Sequence, residues 1–173
     1  FQTTANGENP KPEDFSPTLG LDTGMTNRAY RYLELLGRDE KITREEFLEY
    51  KYDIAYSDQS DARKLLDELF AMPPSHKEKY GRLDVPWGDI NRLVRGTVDI
   101  GLNGGPDTLH AVYGNLADGR LVGMAGDCYI LVVEWDPDGK VHSGSIHQFG
   151  SATMNPESPH YADQAPLFAA CKL

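Results

Sequence analysis

A chain of 173 residues has the length of one domain, able to bury roughly two thirds of the surface that its unfolded form would expose. Its hydrophobic fraction of 39%, with nine Tyr and six Phe, supplies a core, and no apolar run approaches the roughly 18 residues of a spanning helix. The net charge of -10 arises from 27 acidic against 17 basic residues without a Lys/Arg cluster, so neither nucleic acid nor a membrane is expected as a partner.

In chain order, residues 1–22 are rich in Pro, Asn, Thr and Glu and are predicted to form an extended connector. Residues 23–80 are predicted to be mainly helical. The first helix begins near Thr26, whose hydroxyl can cap free amides, passes through Ala29, Tyr32, Leu33 and Leu36, and stops at Gly37. A second opens on the capping box Thr43 and Glu46, followed by Phe47, Leu48 and Tyr50. A third carries Ala62, Leu65, Leu66, Leu69 and Phe70 and ends at Pro73 and Pro74, which cannot continue the hydrogen-bond ladder.

Residues 81–173 are predicted to be mainly strands and loops. Apolar residues there come in short runs, Leu109 to Tyr113, Leu121 to Met124 and Cys128 to Trp135, with Gly and Pro between them. The run from Cys128 to Val133 has no polar alternation, the pattern of a strand covered on both faces, and implies a buried free thiol at Cys128 rather than a disulfide to Cys171. Asp136-Pro137-Asp138-Gly139 then turns this strand into a hairpin returning through Val141 to Phe149. Helices first and strands later predict a layered α+β fold.

Several strings carry more. MTNRAYRYLELLG from Met25, ITREEFLEYKYD from Ile42, VPWGDINRLVRG from Val85, NGGPDTLHAVYG from Asn103, GDCYILVVEWDPDGK from Gly126 and SPHYADQAPLFAA from Ser158 follow one another in an order that resembles the penicillin-acylase family of amidohydrolases. The resemblance is to the C-terminal part of the large chain of those enzymes, among them acylases for cephalosporins, acyl-homoserine lactones and lipopeptides. It implies the N-terminal-nucleophile hydrolase sandwich, two sheets between two helical layers. It also implies hydrolysis of a linear amide by an N-terminal Ser whose own amino group is the base and whose tetrahedral intermediate sits in an oxyanion hole.

Phe1 cannot serve as that nucleophile. The resemblance therefore predicts a single C-terminal piece of a larger acylase, inactive alone, with the Ser and the oxyanion-hole Asn upstream and the rest of the same acylase as its partner. It implies no cofactor, and a periplasmic or secreted location. One departure stands out: Pro73 to His76 bridges the third helix to the KYGRLDVPWGD segment, where relatives have further helical sequence.

The family's site arginine falls on Arg28. That residue also stands out on physical grounds, because a cation in the first turn of a helix opposes the macrodipole, and some other interaction should favour it there. A guanidinium offers a rigid fork of donors suited to orienting an amide oxygen or a polar substrate group. The competing reading is a surface arginine paired with Asp22 or Glu34.

Other groups attract weaker readings. His147, His160 and Asp163 with Asp127 could be assembled into a triad or metal set, yet their spacing has no zinc signature. Asp136 to Lys140 begins like a calcium loop but lacks its later Glu, and a hairpin turn explains it better. Asn103 to Pro106 suits a turn with close backbone packing rather than a phosphate site. Trp87, Tyr161 and Phe168 belong to the core or to the wall of an acyl pocket. The alternative to an acylase piece is a self-standing, non-catalytic binding domain on the same scaffold. A piece of a larger enzyme should expose a broad apolar face; a self-standing module should not.

Overall fold

The computed structural model describes residues 25–38, 40–75 and 85–173. The connector expected over 1–22, and most of the short link after Pro73 and Pro74, lie outside the described residues. The described residues fall into two units, a helical one up to residue 75 that also contains Asp107–Leu109, and a strand-rich one formed by 85–106 and His110–Leu173.

The helical unit holds α1 (Asn27–Leu36), α2 (Arg44–Lys51) and α3 (Asp61–Ala71). Each starts where a hydroxyl satisfies an amide that the helix itself cannot. Thr26 Oγ1 accepts from the Ala29 amide at 3.3 Å, the capping box of Thr43 and Glu46 is complete, and Ser60 accepts from Arg63 at 3.2 Å. Gly37 ends α1 by donating to the Leu33 carbonyl at 2.9 Å. Only α1 buries apolar side chains, Ala29 and Leu35, and neither α2 nor α3 has a buried residue.

The strand unit begins with a single helical turn, α4 (Trp87–Ile90), and then β1 (Asn91–Arg95) and β2 (Val98–Gly101). With β3 (Val112–Ala117) and β4 (Arg120–Gly126) these make a four-stranded sheet in the order β2-β1-β4-β3. The β1–β2 and β3–β4 pairs are antiparallel hairpins, and β1 runs parallel to β4. The β3–β4 turn is Asp118-Gly119, both with positive φ (49° and 75°), the twist a two-residue hairpin needs. The run expected as a strand from Leu109 to Tyr113 instead enters the sheet at Val112 and continues to Ala117.

A separate ribbon pairs β5 (Tyr129–Trp135) with β6 (Val141–His147), joined by the expected turn. There Gly139 donates to the Asp136 carbonyl at 2.8 Å, with φ of 83°. A five-residue helix, α5 (Ala165–Ala169), follows. The unit's interior comprises Leu93, Leu102, Ala111, Val112, Ile130, Ile146, Ala165 and Phe168.

Cover on both faces of β5 is not met among the described residues. The inward pair Ile130 and Ile146 is buried, whereas Tyr129, Leu131 and Trp135 alternate onto the other face and are exposed. β5 has one neighbouring strand among the described residues, β6, and nothing described lies over that outer row. Cys128, just ahead of β5, is exposed rather than buried, and neither cysteine is in a disulfide.

Candidate functional site

Among the described residues of the helical unit, hydrogen bonds from distant segments converge on the start of α1. Asn27 is buried (2% exposed), and its side chain is satisfied in every direction. Its Nδ2 donates to the Ala55 carbonyl at 3.1 Å and the Asp107 carbonyl at 2.9 Å, and its Oδ1 accepts from the Ser57 amide at 2.7 Å. Its own backbone N–H donates to Asp107 Oδ2 at 2.8 Å. A carboxylate thus sits at a helix N-terminus whose first turn has no acidic residue of its own, which offsets the cation at the next position.

That cation is Arg28. Its Nε donates to the Thr108 carbonyl at 3.1 Å, and Thr108 is 1% exposed. Anchoring at Nε fixes the plane of the guanidinium, which is what orienting a carbonyl oxygen requires. The proposed pairing of Arg28 with Glu34 has a different outcome. Glu34 is taken by Arg31, at 2.7 Å, and by the Ser57 hydroxyl, at 2.5 Å. Asp22 lies outside the described residues.

Arg31, three residues on, is anchored separately. Its Nε and Nη2 grip both oxygens of Asp53, at 3.0 and 2.7 Å, the two-point geometry a planar fork favours. The Asp53 hydrogen bond, opposed by burial and assisted by Glu34, raises the Arg31 pKa above its ordinary value. Burial pushes the Glu34 carboxyl up, but hydrogen bonds from Ser57 and Arg31 outweigh it and hold Glu34 below its ordinary value. Arg31 and Glu34 therefore fix the stretch from Asp53 to Ser57 that in turn receives Asn27.

Lys51, in the last turn of α2, donates to the Leu109 carbonyl at 3.3 Å. Asp107, Thr108 and Leu109 thus all give backbone oxygens to the helical unit. The loop carrying them is closed at its base by Gly105 donating to His110 at 3.2 Å and Val112 donating to Gly105 at 3.0 Å. Gly104 has φ of 87°, and a Cβ there would lie 2.5 Å from Val112 Cγ2, so the NGGP string is the close-packed turn expected of it. Trp87 Nε1 adds a hydrogen bond to the Gly104 carbonyl at 2.7 Å. A cavity of about 190 Å³ also opens between α1 and α2, walled by Tyr32, Leu35, Leu36, Phe47, Tyr50 and Leu109.

The other candidate groups go to separate places. His147 packs on Tyr129 with ring centroids 4.8 Å apart, His160 pairs with Asp163 at 2.8 Å, and Asp127 pairs with His110 at 2.9 Å. Among the described residues no group of three or more His, Cys, Asp or Glu could hold a metal ion. Phe168 is core, Trp87 is half exposed, and the guanidinium of Arg95 lies over the rings of Tyr161 and Phe149, 4.1 and 4.9 Å from their centroids. Sequence reasoning missed His110, fully buried beside Phe168 at 5.6 Å between ring centroids. Its signal was a lone His in the apolar LHAVY run.

Residues 59–173 match the family model described as penicillin amidase. The chain belongs to the penicillin amidase family. It is also 32% identical over 113 residues, 62% of this chain, to the acyl-homoserine lactone acylase PvdQ of Pseudomonas fluorescens. That stretch is 14% of the relative's length, so the chain spans a small part of the curated protein it matches. The family match includes Asp107, Thr108 and the ribbon, and begins after Arg28. The mixed helices and sheets agree with the expected α+β class, and no helix among the described residues is long and apolar enough to cross a membrane.

Proposed function

We propose that this chain is the C-terminal part of a larger penicillin-amidase-family acylase that hydrolyses a linear amide, freeing an amine from an acyl group. The leaving amine is a homoserine lactone, a β-lactam nucleus or a peptide. In this reading an N-terminal Ser elsewhere in the parent attacks the carbonyl carbon, its α-amino group takes the hydroxyl proton and passes it to the amide nitrogen as the C–N bond breaks and the amine leaves, and water then hydrolyses the acyl-enzyme ester to the free acid and the regenerated Ser. Arg28 is the site residue contributed by this chain, orienting an amide oxygen near the nucleophile.

The observation that carries the proposal is the penicillin amidase match over residues 59–173, joined to the anchored guanidinium of Arg28. The larger-assembly part is supported by the outer row of β5, where Tyr129, Leu131 and Trp135 present the broad apolar face expected of a piece whose sheets continue elsewhere. On this reading that row belongs to the inner surface of a four-layer sandwich, in a protein acting in the periplasm or outside the cell.

The test is expression of the parent reading frame and assay of amine release from a panel of acyl amides. The reading expects cleavage of the precursor into two chains, hydrolysis of at least one acyl amide, and a loss of about a hundredfold or more with Arg28→Ala. An unprocessed parent inactive on the whole panel contradicts it.

A further inference from the structure

We infer that Asp107 is a positioning residue for Arg28, setting the plane of its guanidinium through Asn27, which lies 80 positions from Asp107 in sequence. The inference rests on the reading of Arg28 as a group at the active site, and adds what holds that group in place.

Three bonds converge on two adjacent residues of α1. Asp107 Oδ2 accepts the Asn27 amide at 2.8 Å, the Asp107 carbonyl accepts Asn27 Nδ2 at 2.9 Å, and the next carbonyl, of Thr108, accepts Arg28 Nε at 3.1 Å. Side chain and backbone of Asp107 therefore grip one residue, Asn27, while the peptide that follows grips its neighbour. Asp107 has φ of 58°, a left-handed backbone that a non-glycine residue keeps only where its surroundings over-determine it. Aspartate is among the few side chains that tolerate it.

The charge matters as well as the geometry. Arg28 stands in a first turn without an acidic residue of its own, where the helix dipole disfavours a cation. The Asp107 carboxylate on the first amide of α1 supplies the missing anion, so the helix start and the arginine in it are stabilised by one residue. Because Asn27 is buried and fully bonded, the helix cannot rotate about its axis to re-aim Arg28 without breaking those bonds. Removing the carboxylate frees the helix start to fray and the guanidinium to lose its orientation, while leaving the rest of the site's chemistry untouched.

The experiment is a double-mutant cycle in the full-length acylase, using an acyl amide that it hydrolyses. Asp107→Gly removes the carboxylate and relieves the left-handed backbone, so folding is retained. Its expected effect is a fall in kcat on the order of tenfold or more with KM little changed, the mark of misplacement rather than lost binding. Asp107→Asn, which keeps a side-chain acceptor and tolerates the same backbone, should recover part of that loss.

In an Arg28→Ala background, neither Asp107 substitution should lower kcat further. Equal fold losses in the two backgrounds, or wild-type kcat in Asp107→Gly, overturn the positioning role while leaving Arg28 in place. Wild-type kcat in Arg28→Ala is a different pattern: it removes Arg28 from the site, and the positioning role falls with it. Should Asp107→Gly fail to fold, the same cycle with Asp107→Asn decides, since its smaller loss must likewise vanish when Arg28 is absent.

Discussion

The two units are held by different forces. In the strand unit the buried residues are mostly aliphatic or aromatic, with Phe168, Leu93 and Leu102 the largest, and glycines allow close approach, as at Gly126, where a Cβ would lie 2.2 Å from the Ala111 carbonyl. Among the described residues of the helical unit the fully buried side chains are chiefly polar, Asn27, Ser57, Ser60 and Thr108; the first three hydrogen-bond through their side chains, and Thr108 accepts through its backbone carbonyl. Apolar burial is non-directional and stabilises a shape; hydrogen bonds are directional and fix orientation. The unit that carries Arg28 is therefore the one built for orientation, with modest apolar burial behind it.

The largest effect should come from the strand unit. Phe168→Ala opens a cavity beside His110 and should cost about 3–5 kcal/mol in chemical denaturation. Asn27→Ala should cost about 2–3 kcal/mol, because it strands the Ala55 carbonyl, the Asp107 carbonyl and the Ser57 amide together. Its distinguishing mark is local. Amide exchange should accelerate in α1 and at Ser57 and leave the β1–β4 sheet unchanged; a uniform acceleration would break the contrast between the units.

Thr43→Ala removes an exposed capping box and should cost about 1 kcal/mol, read as loss of helicity. Glu34 adds a pH dependence of less than about 1 kcal/mol. Its carboxyl is held below the ordinary value of 4.5, so its contribution is complete above that pH and is lost as the pH falls through the depressed native value. Glu34→Gln should flatten the unfolding midpoint against pH in that acid window. Leu131→Thr, on the uncovered row of β5, should change stability by less than about 0.5 kcal/mol while reducing binding of apolar dyes.

Local signals were legible. Thr26 and Gly37 bound α1, Thr43 and Glu46 start α2, and the turn at Asp136 to Gly139 makes the ribbon, because each acts within a few residues of itself. The β1–β2 hairpin was hidden by its charges: Arg92 and Asp99, which read as surface residues, pair across it at 2.8 Å. The Asp118-Gly119 pair is a hairpin signal carried by the sequence itself, and both residues take the positive φ it needs. The parallel pairing of β1 with β4 has no short-range signature, and neither does the reach of Asp107 to Asn27. Continuous apolarity in β5 encodes burial on two sides, whereas the described residues cover one.

For the site, the sequence pointed to Arg28 through its resemblance and through an unfavourable charge in a first helical turn. The structure supplies the compensation, a carboxylate and a carbonyl from the loop at Asp107 and Thr108. No spacing rule could have joined positions so far apart.

The most direct measurement is a crystal structure of the full-length parent protein with an unreactive acyl-amide analogue bound. The account predicts that the Arg28 guanidinium keeps its bond to the Thr108 carbonyl and lies within about 3 Å of the analogue or of the side-chain amide facing its carbonyl. An Arg28 side chain turned to solvent, out of hydrogen-bond reach of both, would contradict it.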